Sequence, residues 1–189
     1  MRWNRERDFD NEVRIASLST SVPFPLIKAV IAAESAFNPR AIRTEQPRPS
    51  LPPTPDFPAG GDASLGLMQL LIRTARGLGY TGTMEGLYDP LTNVGLGARL
   101  LRQNLDRAGG RVADAISAYN GGFRPSLGFG SKLPSGQYGN QDYVSRVLGY
   151  YDYFLLQVPS PATSDPYSPG PYAPGPGGAV PSGAVPFRL

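Results

Sequence analysis

The sequence predicts an α-rich globule with at most a small strand patch. Short segments of helical periodicity dominate it, each bounded by Pro, Gly or a capping side chain. A proline-rich interruption and a Pro/Gly-rich C-terminal stretch break that pattern. A length of 189 residues suits one compact domain with an appendage, since a domain of about 150 residues buries roughly 70% of the surface its unfolded chain exposes. Residues 1–158 are expected to form that domain and 159–189 an extended tail.

Helices are expected over residues 8–19 and 25–35, separated by SVPFP, with Pro25 suited to the first helical position. In the second, Ile27, Val30, Ile31 and Glu34 recur at three, four and seven, which makes one stripe. TEQPRPSLPPTPDFPAGG, residues 44–61, holds six prolines within twelve positions. Pro lacks the amide donor that a helix interior or central strand needs, so an irregular loop is expected there. DASLGLMQLLIRTARGLG passes from a small-residue turn into a helix at about Leu71 that ends at Gly77 or Gly79, leaving a strand patch room only near 62–70. In YDPLTNVGLGARLLRQNLDRAGG, Asp89 caps a helix that Pro90 opens, Leu91, Val94, Ala98, Leu101 and Leu105 line its apolar face, and Gly109 and Gly110 close it. VADAISAYNGG is a shorter helix stopped by Gly121, followed by a Gly/Pro loop to about Gly139. The last helix, NQDYVSRVLGYYDYFLLQ, has Asp142 as candidate cap and Val144, Val147, Tyr151, Phe154 and Val158 on one face, and Pro159 ends it. From Ser160 onward PYSPG, PYAPG and GAVPSGAVP bury too little apolar surface to offset ordering costs of about 1–2 kcal/mol per residue, so a polyproline-like tail is expected.

Composition removes several chemistries. The chain has no Cys and no His, which excludes disulfides, thiol nucleophiles, Ser/His triads and His-ligated zinc. No metal site or cofactor is expected. Lys plus Arg number 18 against 15 for Asp plus Glu, and the pI is about 9.3. Without a dense basic stripe this balance favours weakly anionic or polymeric partners rather than nucleic acid. No run approaches the roughly 20 apolar residues of a membrane span, so no membrane partner is expected. MRWNRERDFDNEVR is charged throughout, so neither a signal peptide nor an export route of the chain's own is expected.

Glu34 stands out because a carboxyl group beside Ile27, Val30 and Ile31 is partly desolvated, which disfavours its ionised form and raises its pKa. Such an acid can donate a proton near neutral pH. Read alone, the residue also fits a polar helix end whose stem packs on the core.

Four segments in order, ESAFNPRA, GLMQL, AISAYNGG and DYVSRVLGYY, resemble the successive motifs of the lytic transglycosylase domain, a lysozyme-like fold that cleaves peptidoglycan glycan strands. The resemblance covers roughly residues 8–157. It implies an α+β lysozyme-like fold of short helices around a substrate cleft, with Glu34 as the single catalytic acid/base. It places Ser35 among the substrate-binding residues beside Glu34, in the turn that Phe37 and Asn38 complete. It makes Gly66 a point of close backbone approach, Met68 a soft wall to a sugar face, and Gln69 a hydrogen-bonding partner of the substrate. Tyr119 and Asn120 would lie at the cleft and Tyr143 near the acid. Taken singly, Met68, Tyr119 and Tyr143 read as packing residues and Asn120 as a polar helix end.

The mechanism the resemblance implies uses one carboxyl group. It protonates the oxygen between N-acetylmuramic acid and N-acetylglucosamine, the N-acetyl group assists the oxocarbenium-like state, and the carboxylate then deprotonates the C6 hydroxyl to give a 1,6-anhydromuramyl end. Asp62 and Asp89 are further carboxylates, and Asp62 across the cleft would make a two-carboxylate muramidase instead. A non-catalytic structural protein retaining the fold is a third reading. The 44–61 stretch is longer than the linker common in the family and would be a lid, a docking arm or an inert loop. A substrate outside the cytoplasmic membrane requires a delivery route. Carriage in a phage virion, in the tail or internally, with residues 160–189 docked on virion structural proteins, is the expectation. Cytoplasmic accumulation with release at lysis, or a bacterial enzyme without its leader, would show the same start.

Overall fold

In the computed structural model, residues 3–157 are described except 48, 50, 125–127, 131 and 134. Val158 and the tail from 159 to 189 lie outside the described residues. Helices α1 (Asp10–Thr20) and α2 (Phe24–Ser35) come first. Pro25 falls one place inside the first helical residue rather than at it. A proline is tolerated in that first turn because its missing N–H would have no intrahelical partner.

Strand β1 (Ile42–Glu45) pairs antiparallel with β2 (Asp62–Leu65), in the register Ile42↔Leu65 and Arg43↔Ser64, and β2 pairs with β3 (Leu70–Leu71). Thr44 and Glu45 are therefore strand, not loop. The prolines begin only at Pro47, so both residues keep the amide donors a ladder needs. The rest of the proline-rich stretch is fastened to helix α3 (Ile72–Gly77). Arg73 donates to the carbonyls of Pro52 and Gly61, and Arg76 holds the Asp56 carboxylate with Nε and Nη2 at 3.0 and 2.8 Å.

A 3-10 turn (Glu85–Tyr88) leads into α4 (Pro90–Arg107), where the Thr92 amide donates to Asp89 Oδ2 at 2.8 Å as the expected N-cap bond. Helix α5 (Val112–Gly121) precedes a small ribbon of β4 (Phe123–Arg124) and β5 (Gly128–Phe129), and α6 (Gln141–Leu155) follows. Asn140, not Asp142, occupies the cap position of α6, and its side chain makes no capping bond because it reaches back to α5 instead. Asp142 lies in the first turn, where a carboxylate suits the helix dipole.

Helix α2 is the centre of the molecule. Every residue from Pro25 to Ala32 is buried, so the helix is enclosed on all sides rather than along the single stripe its spacing suggested. It packs mainly on α6, while α4 packs on α1 and α5. Leu26, Ile27, Val30 and Ile31 join Val13, Leu101, Leu105, Ile116 and Val147 in one core, each fully buried aliphatic side chain contributing about 1.5–3 kcal/mol. Lys28 is the polar exception. It is 5% exposed, its Nζ meets Asp10 Oδ1 at 2.6 Å, and it lies 5.1 Å from the centroid of the Phe154 ring. A second apolar cluster, with Leu65, Leu70, Ile72, Leu87 and Leu96, lies under the three-stranded sheet.

Asp62 ties β2 to the start of α3. It is fully buried and accepts backbone N–H bonds from Ala63 at 2.8 Å, Ile72 at 3.1 Å and Arg73 at 3.3 Å. Asp62→Ala leaves those donors without a partner and is expected to destabilise the fold by about 2–4 kcal/mol. Urea denaturation checks this, and an unchanged midpoint would contradict it.

Candidate active site

Glu34 occupies the last turn of α2, where the chain must reverse sharply to start β1. Ala36 and Phe37 make that reversal with φ of +49° and +64°, conformations that cost L residues about 1–2 kcal/mol each. The fully buried Phe37 ring anchors it. The reversal leaves the Glu34 carboxyl half-buried at the mouth of the core, where Tyr143 OH donates to Oε1 at 2.7 Å. Burial raises the Glu34 pKa, and it outweighs the opposing Tyr143 hydrogen bond and the charges of Arg43 and Arg146. The group is therefore biased toward the protonated acid. Burial and the proximity of Glu34 in turn push the Tyr143 and Tyr119 phenols well above their usual value, so both remain O–H donors.

Three helices fasten the GLMQ turn beside this acid. From α2, Ser35 Oγ donates to the Leu67 carbonyl at 2.7 Å. From α4, Asn93 Oδ1 accepts from the Met68 amide, and its Nδ2 donates to the carbonyls of Leu65 and Leu87, all three at 2.8 Å. From α5, Tyr119 OH donates to the Met68 carbonyl at 2.9 Å. Gln69 then adopts φ of +45° and donates through Nε2 to the carbonyls of Ala41 and Gly66 at 3.0 and 3.1 Å. Both amide hydrogens are thereby committed, so Oε1 is the atom left for another partner.

The pocket at Glu34 has a volume of about 60 Å³ and takes its walls from both apolar clusters, with Arg43, Ser64, Gln69, Leu100, Tyr119 and Asn120 among its lining. Asn120 is exposed, and its Oδ1 accepts from Asn140 Nδ2 at 3.0 Å, which leaves its own amide N–H groups for a ligand. Glu34 is the one carboxyl group among the described lining residues. Asp62 is enclosed in β2 and Asp89 caps α4, so neither faces Glu34 across the pocket. Among the described residues no cluster of acidic side chains is arranged to hold a metal ion.

Glu34, Gln69, Tyr119 and Asn120 share this pocket, and Tyr143 reaches it through Glu34. Three expectations need correcting. Met68 is fully buried and offers no wall to a sugar; its side chain packs so tightly on α4 that a Cβ at Gly97 would overlap it. Gly66, at φ of +76°, permits close approach by the protein itself, since a Cβ there would sit 2.5 Å from Asn93 Nδ2 and 2.8 Å from the Leu87 carbonyl. The Ser35 hydroxyl has one hydrogen to give and gives it to the chain, so the residue braces the site. Sequence reasoning missed Asn93, Asn140, Arg43 and Ser64. Asn93 had a signal: it shares its helix stripe with Leu96 and Leu100, three and seven residues on, where an apolar residue is the norm. Asn140 had none, because its partners lie 20 and more residues away.

The domain model of the transglycosylase SLT domain matches residues 12–128. The chain belongs to the transglycosylase SLT domain family. A relative from Enterobacteria phage PRD1, itself named a transglycosylase, is 39% identical over 97 residues, which are 51% of this chain and 28% of that protein. Among solved structures, an inactive mutant of the lytic transglycosylase Slt from Pseudomonas aeruginosa aligns with a TM-score of 0.55 at 20% identity, covering 84% of this chain and 26% of that one. The 70 kDa soluble lytic transglycosylase of Escherichia coli gives 0.53 at 22% identity, covering 77% and 24%. The chain thus spans about a quarter of the length of these relatives, and the two structures share its helix-rich, lysozyme-like fold.

Glu34 also makes stability depend on pH. An acid whose pKa is raised by folding contributes stability that is intact below its ordinary value of 4.5 and is lost as pH climbs through the folded-state pKa. Glu34→Gln has no such titration. Its thermal midpoint is expected to lie close to that of the wild type below pH 4.5 and to exceed it by a margin that opens as pH rises toward 8. Circular-dichroism melts across that range check this, and a gap independent of pH would contradict it.

Proposed function

We propose that this SLT domain is a peptidoglycan lytic transglycosylase that cleaves the bond between N-acetylmuramic acid and N-acetylglucosamine and leaves 1,6-anhydromuramyl ends. The observation that carries the reading is a single carboxyl group, biased toward its acid form, in a pocket with no second carboxylate among its described lining. Family membership supports it, as do the phage relative named a transglycosylase and the lytic transglycosylases that share the fold.

In this reading Glu34 donates its proton to the glycosidic oxygen as the C1–O bond breaks, and the N-acetyl group of the sugar shares the positive charge that develops at C1. The carboxylate left behind takes the proton of the C6 hydroxyl, whose oxygen bonds to C1. Glu34 ends protonated, as it began, and no water is consumed. Tyr143 supports both halves: its O–H bond orients the carboxyl group and stabilises the carboxylate once it forms. Gln69 Oε1 and the Asn120 amide are placed to fix the strand by hydrogen bonds. General acid/base help is worth about 10²–10⁴ in rate, and positioning along the cleft supplies the remainder.

A pocket of about 60 Å³ is far smaller than a disaccharide, so the strand would lie along the open surface and send one substituent inward. Delivery by a phage particle is the part of the reading that the PRD1 relative supports, with residues 160–189 as the attachment to virion proteins.

Mass spectrometry of digested sacculi tests the chemistry. Anhydro ends are expected from the wild type, with release slowed at least 100-fold in Glu34→Gln. Reducing ends would make the protein a muramidase, and undiminished release by Glu34→Gln would remove the acid from the mechanism. Deleting residues 160–189 is expected to abolish incorporation into particles while sparing wall cleavage, and unchanged incorporation would refute the docking role.

A further inference from the structure

Two polar groups in the Glu34 pocket are left over by the chemistry above. Ser64 on β2 is 1% exposed, and its Oγ has no hydrogen-bond partner. A buried hydroxyl without a partner costs about 1–3 kcal/mol, an expense that a ligand atom bonded there would remove. Its register neighbour across the strands is Arg43 on β1, which lines the same pocket. The Arg43 side chain is 61% exposed, and its Nε pairs with Glu45 Oε1 at 3.1 Å, two residues along the same face of the strand. A guanidinium carries five N–H donors, and among the described residues Glu45 is its one ion-pair partner. The pocket therefore holds a tethered cation beside an unsatisfied hydroxyl, next to an acid biased toward neutrality.

We propose that Arg43 and Ser64 form a carboxylate-binding subsite beside Glu34 that selects glycan strands carrying an anionic group at the muramic acid next to the scissile bond. This inference rests on the glycan-cleaving reading for the identity of the strand, but the subsite itself is defined by side chains of this chain. A bidentate guanidinium contact with a hydroxyl donor alongside is the arrangement a carboxylate takes best. The carboxylate has two sources in peptidoglycan, the lactyl group of a muramic acid stripped of its peptide and the acidic groups of an attached stem.

Occupancy would also act on the acid. The charged and titratable groups facing Glu34 are Arg43 from β1, Arg146 and Tyr143 from α6 and Tyr119 from α5. The charge of Arg43 opposes the acid form of Glu34. A bound carboxylate neutralises that opposition, so the matching strand strengthens the proton donor it needs.

The test uses the full chain and three substrates: glycan strands freed of stems by an amidase, the same strands with their lactyl carboxylates converted to methyl amides, and intact stem-bearing strands. The wild type is expected to favour free carboxylates over methyl amides about tenfold in kcat/KM, chiefly through KM. That ratio is expected to fall toward one in Arg43→Gln and to an intermediate value in Arg43→Lys. The alkaline limb of kcat is expected to lie above that of kcat/KM for the carboxylate strands and not for the amides. Loss confined to stem-bearing strands in Arg43→Gln would assign the carboxylate to the stem and uphold the subsite. A preference that survives Arg43→Gln unchanged, or the absence in the wild type of any preference among the three substrates, would overturn it. Carboxylate-selective binding by calorimetry without cleavage of any strand would sink the glycan-cleaving reading and uphold the subsite.

Discussion

The chemistry proposed for this fold depends on the partial desolvation of one carboxyl group. Helix α2 is enclosed along its length, and Glu34 lies where that enclosure ends, close enough to the core for burial to dominate its titration and close enough to the surface to meet a ligand. A fully enclosed carboxyl would reach no substrate, and a fully solvated one would be ionised at neutral pH. The Tyr143 hydrogen bond, with the charges of Arg43 and Arg146, opposes burial without reversing it, and the hydrogen bond also orients the group.

That balance requires the helix end to be immobile, and the hydrogen bonds around the GLMQ turn make it so. Ser35, Asn93 and Tyr119 reach the turn from three helices and spend their polar atoms on its backbone. Ser35 and Tyr119, which the family resemblance places at the site, and Asn93, which it does not mark, are here the frame that holds Glu34 and Gln69 in place. Backbone strain gathers at the same point. Of the four non-glycine described residues with positive φ, Gln69 lines the pocket, and Ala36 and Phe37 follow Glu34 by two and three residues. Packing around Phe37 and hydrogen bonding by Gln69 offset the cost of those conformations.

Local signals were legible in the sequence and long-range ones were not. The α4 cap at Asp89, the breaks at SVPFP and Gly121, and the placement of Glu34 at an apolar helix end all depend on neighbours within a few residues. The cap of α6 was misread because the side chain of Asn140 is drawn to Ser117 and Asn120, a pairing that only the packing of α5 on α6 creates. Met68 was misdirected for a similar reason: the motif fixes its place in the turn, but the contact with α4 decides which way it faces. Composition marked the proline-rich stretch as irregular without revealing that Arg73 and Arg76 fasten it to α3. Asp62 read as a spare carboxylate because nothing in the sequence shows the three amides that surround it.

Direct titration of the Glu34 side-chain carboxyl by carbon-detected NMR tests the central claim most closely. The account predicts a midpoint above the ordinary 4.5, rising further in Tyr143→Phe as the phenol's stabilisation of the carboxylate is removed. A midpoint at or below 4.5 in the wild type would contradict it, because burial would then not be disfavouring the ionised form.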